Sequence, residues 1–502
     1  MKVILISMPD VVPVVIHEAA VHMPNHGIAC IGGNIDDDHE VYLIDLIRKR
    51  RSVRKYLTKT VNRIKPDLVG LSAMAWQYDT CVRIAQLIKE LHPPVKIVIG
   101  GYHATLMHEE IGGAPETRWI DFMIRGEGEE ACRRLVNALA GRDELAAIPS
   151  LSHKVDGEFI HNERSEILDL SRLKLPIRDK RRLTWGYHMI NSKIEILETS
   201  RGCTRACTFC SMKHMYGRNF RAYPLERVLA DLDDIYYRCK VRWVFVSDDN
   251  FVLYPDRVIE ICEAIIARNY RGLNFCVQAD CVTMAKNEKM VEKMAAAGFR
   301  SVFLGIESGS AKNLTMAGKG DIVDASRRAV ENCHKHEMMV IGGLVFGFPD
   351  DDADSIRDTY EFFKRIGPDA AYCQILTPYP KTGMREQLLS EDLITNKTDY
   401  KKYNGLWANV RTRHLDSEEL QYQFWYQRQV VLGWWSPSGP MTKQGRLWTS
   451  IWRFVFKPFL KLRFRRIMRI YGWQGRYQLE VQRWEQMNTF QDLAGYEDHA
   501  VL

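Results

Sequence analysis

Residues 194–210 read IEILETSRGCTRACTFC, and this stretch decides the architecture. Its first part places Ile194, Ile196 and Leu197 in a short apolar run that turns polar at Glu198 and Thr199, as a buried strand ending at a loop does. Its second part puts Cys203, Cys207 and Cys210 in a CxxxCxxC spacing directly after that strand, beside Arg201, Thr204 and Arg205. Thiolates are the usual iron–sulfur ligands, and ligands close in sequence let one loop wrap a cluster. Three thiolates on a four-iron cluster leave one iron open to substrate. A structural zinc takes a closed set of four, for which His214 is the single nearby candidate. The remaining nine of the twelve cysteines are scattered, mostly among apolar neighbours, and read as buried thiols rather than a disulfide framework.

Working outward, Ile194–Thr199 is the first of six strand-like runs, followed by Trp243–Ser247, Asn274–Gln278, Ser301–Ile306, Val340–Phe346 and Ala371–Leu376. Helical patterns separate them, so residues 191–390 are expected to form a partial (β/α)6 barrel whose site gathers at the carboxyl ends of its strands. Those ends carry Phe209 with the cysteines, Asp248-Asp249-Asn250, Gln278 with Asp280, Glu307-Ser308-Gly309, Gly347-Phe348-Pro349 and Pro378-Tyr379-Pro380. One shared site explains that recurrence better than unrelated loops do. A carboxylate there also suits a simple helix cap. Cys373, in the last strand, reads either as a hydrogen or proton donor or as a core thiol.

Residues 1–145 show an earlier alternation. Lys2–Ser7, Val41–Leu46, Leu68–Ala73, Lys96–Gly100 and Phe122–Arg125 are short apolar runs separated by helical patterns such as Asp79–Leu91. The class is α/β, with an N-terminal doubly wound parallel sheet whose ligand would lie beyond the strands' carboxyl ends. Ser72, then Gly100-Gly101-Tyr102-His103, then Gly126-Glu127-Gly128 fall at those ends; ordinary strand-to-helix turns are the competing reading. No GxGxxG follows the first strand, which argues against a dinucleotide. Residues 146–190, with Pro149, Pro176 and a mainly basic run at Arg178–Arg182, are expected to be an irregular linker.

Residues 391–502 form a helical, basic and Trp-rich C-terminal region. Asp416–Leu432 reads as a helix with acids in its first turn, and eight of the twelve tryptophans follow residue 400. Between Lys443 and Arg476 lie ten Lys or Arg and no acid, so the net charge of +7 leaves the rest of the chain near −3. Pro458 must kink this segment or start a second helix. Such a basic, aromatic pattern suits a membrane surface, a helical cap on the barrel or, least well, a phosphate backbone. The first residues hold too short an apolar run for a signal peptide, and no stretch has the roughly 18 uncharged apolar residues of a membrane span, so a reducing cytoplasmic setting is expected, with contact at the inner membrane face through 443–476.

CTRACTFC resembles the signature of radical S-adenosylmethionine (SAM) enzymes. The resemblance implies that the open iron of a [4Fe-4S] cluster on Cys203, Cys207 and Cys210 chelates SAM. Reduction by an external donor such as flavodoxin or ferredoxin then releases a 5′-deoxyadenosyl radical. Phe209, Asp248, Asp249, Gln278 and Glu307 match positions that contact SAM in such enzymes. LGIESGS with Lys319, GGYHAT, RGEGE and PYPKTG are similar to the subgroup with an N-terminal cobalamin-binding domain, of the hopanoid-methylase and anaerobic porphyrin-cyclase type, over about residues 1–390. Ser72, Gly100, Gly101, His103, Gly126, Glu127 and Gly128 are then the implied cobalamin contacts. The DxHxxG pattern that supplies a histidine to cobalt is absent, and His17, His22 and His26 are as suited to surface or packing roles as to ligation. The resemblance implies C-methylation of an unactivated carbon of a hydrophobic, isoprenoid-like small molecule. Ring formation, rearrangement or oxidative cyclisation without methyl transfer is the alternative. A cobalamin sensor with a structural cluster is a third reading, disfavoured because such a cluster needs no open iron.

Overall fold

The computed structural model describes residues 1–12, 21–164, 167–189, 192–433 and 457–493, and the side chains of all of these except 21 and 457–468. Two parallel sheets organise the chain. The first contains β1 (Lys2–Ser7), β3 (Glu40–Asp45), β4 (Leu68–Ser72), β5 (Lys96–Gly100) and β6 (Phe122–Ile124), in the order β3-β1-β4-β5-β6; β2 (Val21–His22) belongs to the other sheet. This is a doubly wound sheet with helices on both faces. Its centre explains why KVILIS must be a strand: Val3 and Leu5 pack with Ile28, Ala29 and Leu135 on one side. Ile4 and Ile6 pack with Ile44, Val53 and Leu57 on the other. Each such side chain, removed from water, contributes about 1.5–3 kcal/mol.

The stretch expected to be a linker holds β7 (Leu151–Val155) and β8 (Glu158–His161), a hairpin that extends the first sheet beyond β6 in antiparallel sense. Asp156 and Gly157, both at positive φ (54° and 90°), make its two-residue turn, the chemistry a tight hairpin demands. The basic run after it is anchored at its first residue, while Lys180 and Arg182 stay exposed. Arg178 is 2% exposed and pairs with Asp231 at 2.5 Å and Glu195 at 3.4 Å, which ties the segment to the outside of the second sheet.

The second sheet runs β17 (Ala370–Ile375), β16 (Met339–Phe346), β15 (Phe299–Glu307), β14 (Asn274–Ala279), β13 (Trp243–Val246) and β10 (Ser192–Leu197), all parallel, then β9 (His188–Met189) and β2 in antiparallel sense. It is the expected half-barrel, with an edge supplied by the chain's own N-terminal segment. Within β15, Val302, Leu304 and Ile306 are fully buried against the surrounding helices, while Ser301, Phe303 and Glu307 face the bore. β11 (Ser200–Arg201) and β12 (Arg221–Ala222) form a small separate ribbon around the cysteine loop.

The C-terminal region joins both halves. The helix Ser417–Leu432 starts on an Asp416 capping box with Glu419, and the helix Lys457–Gln486 breaks at Gly472, where φ is 62°. Pro458 sits at the start of that second helix, where its missing N–H costs nothing. Trp473 and Tyr477 pack edge-on against Tyr426 and Tyr422, at 5.0 and 5.2 Å between ring centres. Farther on, Phe490 and Leu493 enter the core of the first sheet. Asn488 exchanges two hydrogen bonds with the backbone of Val11. Among the described residues no helix is long and apolar enough to cross a membrane.

Candidate active site

The loop after β10 is held from below. Asp248 is fully buried and accepts hydrogen bonds from Thr199 N–H at 2.7 Å, from Thr199 Oγ1 at 2.5 Å and from Ser200 Oγ. Asp249 accepts from Gly202 N–H at 2.8 Å, and burial pushes its carboxyl up to about 7. Gly202 has φ +83°, and a Cβ there would lie 2.3 Å from the Asn219 carbonyl, so only glycine lets the chain turn into the cysteine segment. From the far side, Thr208 N–H donates to Ala317 O at 3.0 Å and Thr208 Oγ1 donates to Met316 O at 2.8 Å.

Cys203, Cys207 and Cys210 are half-buried on this loop, whereas eight of the other cysteines are fully buried. Burial raises all three thiols. Cys210 rises to about 11, helped by the charges of Cys207 and Cys203, so the three sense one another. Yet they do not converge to the spacing of a single ion, as another group does among the described residues. Thiols close enough to interact, but too far apart for one metal, fit a multi-iron cluster. Among the described residues His214 is not grouped with these cysteines at the spacing of one metal ion; its Nε2 donates to the Lys381 carbonyl at 2.6 Å.

Above the loop lies a cavity of about 1150 Å³, at the upper edge of ordinary ligand pockets. Phe209, Gln278 and Glu307 line it near the cysteines. Glu307 has φ +64°, a conformation costing a non-glycine residue roughly 1–2 kcal/mol, and its carboxylate pairs with Lys319 Nζ at 2.6 Å. Burial disfavours the Lys319 charge, but the Glu307 carboxylate outweighs it and holds the ammonium above the usual lysine range. Trp243, Phe245, Phe303, Ile341 and Tyr372 line the bore. Cys373 is 1% exposed and belongs to the packed core outside the bore, so it is a core thiol.

The first domain closes the other side with Asp10, Val12, Met23, Trp76 and Gln77. None of these was singled out as a ligand in sequence, because none sits in a glycine-rich loop. Asp10 carries the clearest signal. It accepts from Thr80 Oγ1 at 2.8 Å, its Oδ2 is buried without a partner, and burial pushes its carboxyl up to about 7. An unsatisfied buried oxygen on a cavity wall is what a polar ligand group would complete.

The loops expected to contact cobalamin occupy the same edge but do not line this cavity. Ser72 and Gly100 pair in register at the ends of β4 and β5. Gly101 has φ +96° and lies so close to Ala73 O that a Cβ would approach it to 2.6 Å. His103 packs between Tyr78, tilted at 4.2 Å, and Tyr400, edge-on at 5.1 Å, and burial drives its imidazole down to about 3. Gly126 N–H donates to Thr105 Oγ1, and Gly128 caps the helix Glu129–Leu139. Glu127 faces the barrel: it accepts from Arg201 and from Arg221, both at 2.9 Å. Glu129 joins the same guanidinium at 2.6 Å. His22 lies on the cavity wall and its Nδ1 accepts from Arg48 Nη1 at 2.9 Å, while His17 lies outside the described residues.

Residues 197–363 match the model of the radical SAM superfamily, and residues 12–136 match that of the B12 binding domain. An uncharacterized methyltransferase of Pyrococcus horikoshii is 29% identical over 79% of this chain and 85% of its own. The anaerobic magnesium-protoporphyrin IX monomethyl ester cyclase of Rubrivivax gelatinosus is 25% identical over 72% of this chain, which spans 64% of that relative. Among solved structures, the radical SAM methyltransferase TsrM from Kitasatospora setae, with cobalamin and a [4Fe-4S] cluster bound, superposes with a TM-score of 0.63. It is 17% identical and is matched over 78% of this chain and 75% of its own, a likeness of fold.

Proposed function

The chain is a radical SAM enzyme with an N-terminal B12-binding domain, and from that premise we propose that it is a C-methyltransferase acting on an unactivated carbon of a large hydrophobic small molecule. The observation that carries this reading is the cavity between the domains, walled by Trp243, Phe245, Phe303 and Tyr372 and capped by Phe209, Gln278 and Glu307. Cys203, Cys207 and Cys210 would hold the cluster, with Phe209, Gln278 and Glu307 against SAM. Asp248 and Asp249 act one step back, by fixing the loop from which the cysteines project. Cobalamin would lie against the carboxyl edge of the first sheet, with Asp10, Trp76 and Gln77 on the cavity side.

When held by these residues, SAM would supply a hydrogen-abstracting radical, and SAM with cobalamin would supply the methyl group. The protein's own part is to exclude water from the radical with its aromatic wall, and to hold Glu307 in one orientation through Lys319. An external one-electron donor of the flavodoxin or ferredoxin kind completes the system. Cyclisation without methyl transfer is a second reading, favoured by the similarity to the porphyrin ester cyclase. Membrane contact would run through residues 443–476, of which the described Arg469, Ile470 and Tyr471 are exposed side by side.

The test is product analysis. Anaerobically reconstituted protein is incubated with methyl-labelled SAM, reductant, cobalamin and a lipid extract. Label in a lipid product is expected; 5′-deoxyadenosine without transferred label supports cyclisation instead. Flotation with anionic vesicles at low salt tests the membrane contact, which is abandoned if the protein does not float.

A further inference from the structure

A second group of metal-ligating side chains lies outside the cavity, between the two domains. His26 and Cys30 stand one turn apart on the helix His26–Asn34 of the first domain, and Glu198 stands at the end of β10, ahead of the cysteine loop. One ligand atom from each lies within 4.8 Å of the other two.

Three observations bear on what this group does. Both His26 ring nitrogens are buried with no hydrogen-bond partner, a cost that native structures seldom leave uncompensated. Cys30 is 4% exposed, and burial holds its thiol protonated. Carboxylates and guanidiniums alternate around them: Glu127, Glu129 and Glu198 surround Arg201, and Arg221 also holds Glu127. Burial, followed by Arg178, Arg201, Arg181 and Arg227, holds the His26 imidazole neutral, the form that ligates a metal. A metal ion on Cys30 would bind the thiolate, with the thiol proton released.

We propose that His26, Cys30 and Glu198 bind a zinc ion that clips the first domain to the base of the iron–sulfur loop. A nitrogen, a thiolate and a carboxylate oxygen suit zinc. Bonds of about 2.0–2.3 Å would draw the three ligand atoms to about 3.5 Å apart, a movement of about an ångström or less by side chains on rigid elements. Glu198 Oε2 already accepts from Arg201 and from Tyr223, the outer support that orients a metal-binding carboxylate. The site is independent of the radical reaction.

The experiment measures zinc in the full-length chain with Cys203, Cys207 and Cys210 all replaced by Ala, so that zinc misplaced on the cluster cysteines does not count. After exposure to zinc sulfate and desalting, about one equivalent should remain. Adding His26→Ala or Cys30→Ser should lower it at least tenfold. Cobalt(II) in place of zinc should give a thiolate-to-metal charge-transfer band that Cys30→Ser abolishes. Absence of bound zinc in the triple variant overturns the proposal, and so does zinc that neither further substitution moves. Should a variant lose its circular dichroism, Glu198→Gln supplies the same comparison with the side-chain volume kept.

Discussion

The carboxyl ends of the two sheets look alike in sequence and do different work. Both carry glycines and acids just past an apolar run. In the barrel these residues surround a cavity: Gln278 and Glu307 open onto it, and the cysteines project from the loop beneath. In the first sheet the RGEGE loop reaches to the other domain, where Glu127 and Glu129 hold Arg201 of the barrel. A strand end is thus a place where polar groups gather. Whether they serve a ligand or another domain depends on what faces them.

Three substitutions can break that contrast or sharpen it. Cys207→Ala should have the largest effect, lowering 5′-deoxyadenosine formation more than about 1000-fold while the metal-free chain melts within a few degrees of the parent. Retained radical formation would remove the barrel loop from the chemistry. Glu129→Ala should act on stability instead. It takes away one partner of a buried guanidinium, for a loss of about 3 kcal/mol and roughly 5–10 °C in melting temperature, with 5′-deoxyadenosine formation by the loaded enzyme within about threefold of the parent. Selective loss of activity with unchanged melting would make this loop part of the site after all.

The third effect depends on pH. The Asp10 carboxyl titrates at about 7 in the folded chain, above its ordinary 3.8, because burial disfavours its charge. The folded state therefore holds the proton more tightly, and the resulting stability is full below pH 4 and lost as pH rises toward 7. Asp10→Asn should remove about 2–4 kcal/mol of that dependence, read as a flatter plot of melting temperature against pH for the apoprotein between pH 4 and 7.5. An unchanged slope would mean that the wall at Asp10 is solvated.

The barrel was legible because its signals are local. Val302, Leu304 and Ile306 alternate with bore-facing neighbours inside nine residues, and the three cysteines share one loop. The partners of RGEGE were not legible, since Arg201 lies 74 residues from Glu127 and nothing in either segment encodes the other. The hairpin at Leu151–His161 was signalled by Asp156-Gly157 but submerged in a polar, proline-bearing stretch. Asp10 and Gln77 were missed for a different reason. They become wall residues only when a second domain arrives, so their role belongs to the pair of domains and to no single pattern. The C-terminal aromatics divide the same way: Trp473 and Tyr477 proved to be packing, while Ile470 and Tyr471 stay exposed.

The return of residues 488–493 to the first domain has a consequence for synthesis. Phe490 and Leu493 complete the core around Val53 and Leu57, and 436 residues separate Leu57 from Leu493. At about 5–20 residues per second, roughly 20–90 s of synthesis separate Leu57 from Leu493. The first core therefore closes only after the whole barrel has been made, and a variant lacking residues 490–493 would keep an apolar slot open beside Val53 and Leu57.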